Sequence, residues 1–225
     1  MDTQSAALEV HERLLKTYGK PSQRDDRDPV AVLVSTILSQ NTNDVNRDRA
    51  FRRLRERFPT WQAVRDADEE ALKETVRTAG LANHKAPTIQ RALRHIGAHQ
   101  DQMSLDFLRE QPVEEAKSWL TEIKGVGPKT AAIVLLFGLG MPAFPVDTHV
   151  HRVTQRLGLI GPKTSREQAH QVLESLLPEE LYYPFHLNLI RHGREICTAR
   201  QPRCPECPLR DICAYGKRQL QRDES

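Results

Sequence analysis

Residues 120–136 read LTEIKGVGPKTAAIVLL. The apolar spacing on either side of the glycines is helical, and Pro128 stands where a second helix begins, so the stretch predicts two helices joined by a tight turn. Gly125 and Gly127 permit positive φ and leave backbone amides uncovered, while the second helix points its N-terminal partial charge the same way. Such a turn accepts a phosphate without reading a base, which makes Gly125, Val126, Gly127 and Thr130 candidate nucleic-acid contacts. A plain helical hairpin explains the glycines. It does not explain Lys129, whose ammonium stands in the first helical turn, the wrong end of the dipole for a cation. An amine held there and partly buried is a candidate nucleophile as well as a candidate phosphate partner.

Outward from the hairpin, apolar residues recur at helical spacing along almost the whole chain, with no run of strand-like alternations bounded by hairpin turns. The fold class is therefore all-α. Asp28 before Pro29 reads as an N-cap opening a helix through Val30, Leu33, Ile37 and Leu38. The second hairpin helix is expected over Lys129–Gly138 and others over Thr148–Leu157, Arg166–Leu176 and Tyr182–His192, with short Gly- or Pro-marked connections. The 225 residues carry 38% hydrophobic and 28% charged side chains and a net charge of +3, an ordinary globular composition that argues against disorder. The longest apolar run, Ala131–Met141, is about half what a bilayer needs, and the N-terminus lacks the pattern of a signal peptide. The expectation is a soluble, cytoplasmic protein, nucleoid-associated if bacterial. Residues 191–225 hold eight Lys/Arg against five Asp/Glu, whereas the rest of the chain is balanced at 25 each.

Two further stretches carry chemistry. Residues 144–153 read FPVDTHVHRV, where Asp147 caps a helix and can also deprotonate an amine or stabilise developing positive charge. His149 and His151 are two apart and cannot share one helix face, which argues against a two-histidine metal site. Cys197, Cys204, Cys207 and Cys213 follow as C-x6-C-x2-C-x5-C, and four thiols so close in a cytosolic chain point to a metal site rather than to disulfides. Zinc is the ordinary occupant, although only one tight knuckle is present; a cubane iron–sulfur cluster needs four Cys and tolerates irregular spacing. Arg200 and Arg203 stand on the same loop, stiffened by Pro202, where guanidinium groups can meet phosphates.

The hairpin GVGPKTA, the segment VDTHVHRV and the four-cysteine pattern, in this order, resemble the endonuclease III family of helix-hairpin-helix DNA glycosylases over nearly the whole chain. The resemblance implies two helical lobes with a DNA-binding cleft between them. A six-helix barrel would span 26–141, with its hairpin at about 120–136, and residues 1–25 with 142–225 would form a discontinuous lobe bearing a [4Fe-4S] cluster on the four cysteines. It implies a monomeric bifunctional glycosylase and AP lyase acting on oxidised pyrimidines or abasic sites in duplex DNA. Lys129 would attack C1′ of an extruded nucleotide with help from Asp147, and the resulting imine would permit β-elimination of the 3′ phosphate. The gap left in the duplex would be filled from LSQNTND (38–44) and GLANHKA (80–86), with Gln40, Asn41 and Leu81 as candidates, and His149 as a further DNA contact. The chain departs from the family pattern at Asn41, preceded by Gln40, where a glutamine is common, at Lys124, where a proline is common, and at Pro128, where a basic residue is common. Two alternatives remain at this stage: a monofunctional mismatch glycosylase with Asp147 activating water, which Lys129 argues against, and a non-catalytic DNA-binding module.

Overall fold

The computed structural model describes residues 2–22, 28–99 and 102–223, with side chains to 218. Among the described residues all regular structure is helical: α1 Thr3–Tyr18, α2 Pro29–Ser39, α3 Asp44–Arg57, α4 Trp61–Asp66, α5 Glu69–Val76, α6 Ala82–His99, α7 Val113–Glu122, α8 Pro128–Ile133, α9 Thr148–Leu157, α10 Arg166–Leu176, α11 Tyr182–Glu195 and α12 Ala214–Asp223. The chain divides into two compact units, Arg24–Met141 and Met1–Gln23 with Pro142–Ser225. No described helix is long and apolar enough to cross a membrane.

The unit Arg24–Met141 is organised around α2, whose buried residues include Val30, Val32, Leu33, Val34, Ile37 and Leu38. A helix apolar on nearly every face must be surrounded. Its start is fixed by Asp28, which accepts the Val30 N–H at 2.9 Å with one carboxylate oxygen and the Trp61 indole N–H at 2.6 Å with the other. The short helix α4 begins at that tryptophan, which is itself buried.

The second hairpin helix is not α-helical to Gly138. It is α only over Pro128–Ile133 and continues as a π-helix over Val134–Leu139. A methyl group on Gly138 would lie 3.0 Å from Pro29 Cα, so this segment approaches the backbone of α2 where a side chain would not fit. The Arg109 guanidinium donates to the carbonyls of Gly138 and Leu139, which the helix end would otherwise leave unsatisfied.

Within the hairpin turn, the Val126 N–H donates to the Ile123 carbonyl at 2.8 Å. Gly125 has φ +101°, and a Cβ there would lie 2.8 Å from Thr88 Cγ2. Only glycine satisfies both conditions. Gly127 differs from the sequence expectation: its φ is −99°, an extended N-cap that any residue adopts, with nothing within 4 Å of a Cβ.

In the other unit, α11 packs on α1 and α9 through buried Phe185, His186, Leu189 and His192. The extended approach to α9 is held by its own backbone groups. Phe144 donates its N–H to the Glu174 carboxylate at 2.8 Å, its carbonyl meets His170 Nδ1 at 2.8 Å, and the Pro145 carbonyl meets His186 Nδ1 at 2.9 Å. Asp147 thus follows a segment whose path is fixed by buried groups on α10 and α11.

Gly125→Ala combines a left-handed backbone with a clash on Thr88, and should destabilise the fold by about 1–3 kcal/mol. Urea unfolding should show the midpoint falling with little change in m.

Candidate functional site

The first group of candidate residues lies in the unit Arg24–Met141. Lys129 is half-buried on the first turn of α8, directly after an N-cap glycine that contributes no side chain. Gly125 and Gly127 are exposed, but Val126 and Thr130 are each 4% exposed. Those two side chains anchor the turn from inside. Gln40 caps the end of α2 and donates from Nε2 to the Gly125 carbonyl at 3.3 Å, bringing the loop after α2 to the hairpin.

Asn41 and Leu81 have φ of +51° and +50°, and they are the non-glycine residues with positive φ among the described residues. Asparagine tolerates this region; leucine rarely adopts it. Leu81 is 50% exposed, and Val45, on the first turn of α3, is 67% exposed; these are the exposed large hydrophobic side chains among those described. Val45 was not singled out in the sequence, because a lone valine among polar residues carries no periodic signal. Lys85 was also passed over. It is 2% exposed, and Nζ donates to the Leu38 and Ala79 carbonyls, both at 2.7 Å. Burial pushes its pKa down. The signal lay in its position on the apolar stripe of α6, between Leu81 and Ile89 at i±4 spacing.

The second group lies in the other unit. Asp147 is the N-cap of α9, where Oδ1 accepts the N–H groups of His149 and Val150, both at 2.8 Å. Oδ2 takes no part in the cap. His149 Nδ1 accepts from Arg152 at 3.1 Å, and Arg152 also donates to the carbonyls of Gly193 at 2.8 Å and Cys197 at 3.1 Å. One turn further, Arg156 donates to the carbonyls of Thr198 at 2.7 Å and Ala199 at 2.9 Å and approaches Cys197 Sγ at 3.4 Å, while lying over the Tyr215 ring. These two arginines, spaced i, i+4 on α9, fasten the cysteine loop.

All four cysteines line one cavity, together with Val153, Leu157, His192 and Ile196. Among the described residues no three His, Cys, Asp or Glu side chains converge closely enough to hold a single metal ion. Four cysteines on one cavity are the donor set that a cubane iron–sulfur cluster needs. Burial pushes the Cys207 thiol up to about 11 and the His192 imidazole down to about 4. His192 stands between Tyr18 Oη, 3.1 Å from Nδ1, and Cys207 Sγ, 3.6 Å from Nε2. A thiolate only accepts, so with Cys207 ionised Nε2 carries the proton and Nδ1 accepts from the tyrosine hydroxyl. Arg203 donates to the Glu195 carbonyl and to the Glu206 carboxylate. Both Arg203 and Arg200 are exposed.

This combination of a helical fold, a glycine hairpin bearing a lysine and a four-cysteine cavity has counterparts. Residues 34–179 match the HhH-GPD superfamily of base excision DNA repair proteins, and residues 197–213 match the iron–sulfur binding domain of endonuclease III. The chain is 35% identical over 210 residues to endonuclease III of Thermotoga maritima, covering 93% of each. It is 33% identical over 215 residues to that of Escherichia coli (strain K12), covering 94% of this chain and 96% of the relative. Its fold superposes on a non-covalent endonuclease III–DNA complex with a TM-score of 0.83 at 29% identity, over 98% of this chain and 100% of the other. A trapped endonuclease III–DNA covalent intermediate gives 0.82 at 29% identity with the same coverage. The chain belongs to the endonuclease III family of the HhH-GPD superfamily. It is accordingly a DNA-binding enzyme of base excision repair, a DNA glycosylase with lyase activity, and its cofactor is a [4Fe-4S] cluster.

Arg156→Ala removes two carbonyl contacts and a sulfur contact from the cysteine loop. The variant should lose iron to a chelator several-fold faster than the parent, read as bleaching of the cluster absorbance, while its helical circular dichroism is retained.

Proposed function

We propose that this enzyme excises oxidised pyrimidines from duplex DNA as a monomer and cleaves the strand 3′ to the abasic site, with Lys129 as nucleophile and Asp147 as its charged assistant. The observation that carries the reading is the half-buried placement of Lys129 on the first turn of α8, immediately after the exposed glycine turn. Backbone amides at a helix start attract a phosphate, which brings a sugar to the amine and not to bulk water.

In this mechanism Lys129 Nζ, as the free amine, forms a bond to C1′ of the extruded nucleotide as the C1′–base bond breaks, and the base leaves with the bonding electron pair and takes up a proton. Loss of the amine proton and ring opening give an imine, which acidifies C2′–H; removal of that proton expels the 3′ phosphate. A water nucleophile gives the first step and not the second. The Asp147 carboxylate, held by its cap, stabilises positive charge developing on the sugar. Extrusion itself costs a few kcal/mol, less at a weakened pair, and damaged pyrimidines lower that cost.

Cys197, Cys204, Cys207 and Cys213 would hold the cluster. When bound, it cross-links four points of the loop, and the chemistry it supplies there is structural. Arg200 would place a charge on a DNA phosphate from that loop. The enzyme would work in the cytoplasm, on the nucleoid if the source is bacterial.

Lys129→Gln should bind lesion duplex with little change in Kd yet form no covalent adduct under borohydride; persistent trapping would place the nucleophile elsewhere. Asp147→Asn keeps a capping oxygen but not the charge, and should fold and bind while kcat falls by about 10²-fold or more. Near-parental turnover would leave Asp147 only its cap. Arg200→Ala should weaken damaged and undamaged duplex alike and reduce the slope of log K against log salt by about one.

A further inference from the structure

We propose that Lys85 is a positioning residue that locks the loop after α2 and the loop before α6 into one rigid element, so that Asn41 and Leu81 enter the DNA stack together. The proposal rests on the reading of those two residues as the groups that fill the gap left by an extruded nucleotide.

Four observations converge on this lysine. Its side chain is among the largest fully buried ones in the protein, yet it carries an ammonium. That ammonium donates at 2.7 Å to the carbonyl of Leu38, in the last turn of α2, and at 2.7 Å to the carbonyl of Ala79, at the end of a short 3-10 turn over Arg77–Ala79. Carbonyls at helix ends lack intrahelical donors, so one cation satisfies two chain ends separated by about forty residues. Each of those ends leads within three residues to a left-handed residue, Asn41 at φ +51° and Leu81 at φ +50°. Finally, the Lys85 and His84 N–H groups donate to the Leu81 carbonyl at 2.9 Å, so the lysine backbone holds the loop that its side chain also braces.

A methionine would fill the same volume and a buried ammonium is costly to desolvate, so packing alone does not account for lysine here. The ammonium is what links the two carbonyls. Breaking that link frees each loop to relax from its left-handed residue independently. A wedge whose two parts move separately is displaced by an ångström or more, which is enough to change rates on the order of 10²-fold.

The test uses Lys85→Met, with Lys85→Gln, which keeps a polar donor on a shorter stem, where the first does not fold. The other variants are Leu81→Ala and the double substitution. Extrusion is read by stopped-flow fluorescence of 2-aminopurine beside an uncleavable tetrahydrofuran abasic analogue in duplex DNA. Loop order is read by amide exchange over residues 40–43 and 80–81. Expected are faster exchange in both loops with protection of α2 and α6 retained, extrusion slowed at least about 10-fold, and a double variant no slower than the worse single one. Multiplying penalties, faster exchange in one loop only, or normal extrusion in the Lys85 variants overturns the proposal and leaves the wedge reading standing. Normal extrusion in Leu81→Ala overturns the wedge reading itself, and the proposal with it.

Discussion

Burial of α2 on nearly all sides is the constraint from which the DNA-facing features of its unit follow. Each of its Val, Leu and Ile side chains contributes about 1.5–3 kcal/mol when removed from water, so the helix has little freedom to turn or slide. Its first residue then meets the π-helical segment at Gly138, and its capping aspartate is fixed between a backbone amide and the Trp61 indole. At the other end the same helix delivers Gln40 to the hairpin carbonyl of Gly125 and the Leu38 carbonyl to Lys85. Hairpin and loop are thus registered by one apolar helix.

In the other unit the organising element is α9, which is polar at both ends for different reasons. Its first turn is closed by the Asp147 carboxylate, and its outer face projects Arg152 and Arg156 onto the chain around Cys197. The arginines satisfy four carbonyls, those of Gly193, Cys197, Thr198 and Ala199. They therefore shape the loop through contacts within the chain. Iron must take Cys207 as a thiolate, which burial disfavours, so cluster assembly and thiol ionisation are coupled. Burial outweighs the pull of the Glu195 carboxylate and holds the adjoining His192 imidazole neutral.

The all-helical fold was legible because its periodicity is uninterrupted, and Gly125 was legible because a close turn between helices needs positive φ. Gly127 misled, since a glycine used for its lack of a side chain looks in sequence like one used for its backbone. The π-helical segment was hidden for a related reason: an apolar run is equally apolar at 3.6 or 4.4 residues per turn, and what selects the wider winding is the approach of Gly138 to Pro29, a contact distant in sequence. The short helix α4 offered too few residues for a period. Charge alone also did not reveal that Arg203, while exposed, donates to the Glu195 carbonyl and the Glu206 carboxylate of its own loop.

Lys85 marks where local preference and the fold disagree, and the disagreement is informative. A buried ammonium carries a desolvation cost of several kcal/mol, and Leu81 in the left-handed region adds about 1–3 kcal/mol. Proteins stable by only about 5–15 kcal/mol do not concentrate such costs on two adjoining loops without a compensating constraint. No apolar contact requires them, since the exposed Leu81 and Val45 side chains would be better buried. What the costs maintain is a pair of braced loops, one presenting Asn41 and the other the exposed Leu81 side chain, the arrangement suited to a surface that must enter an aromatic stack already formed.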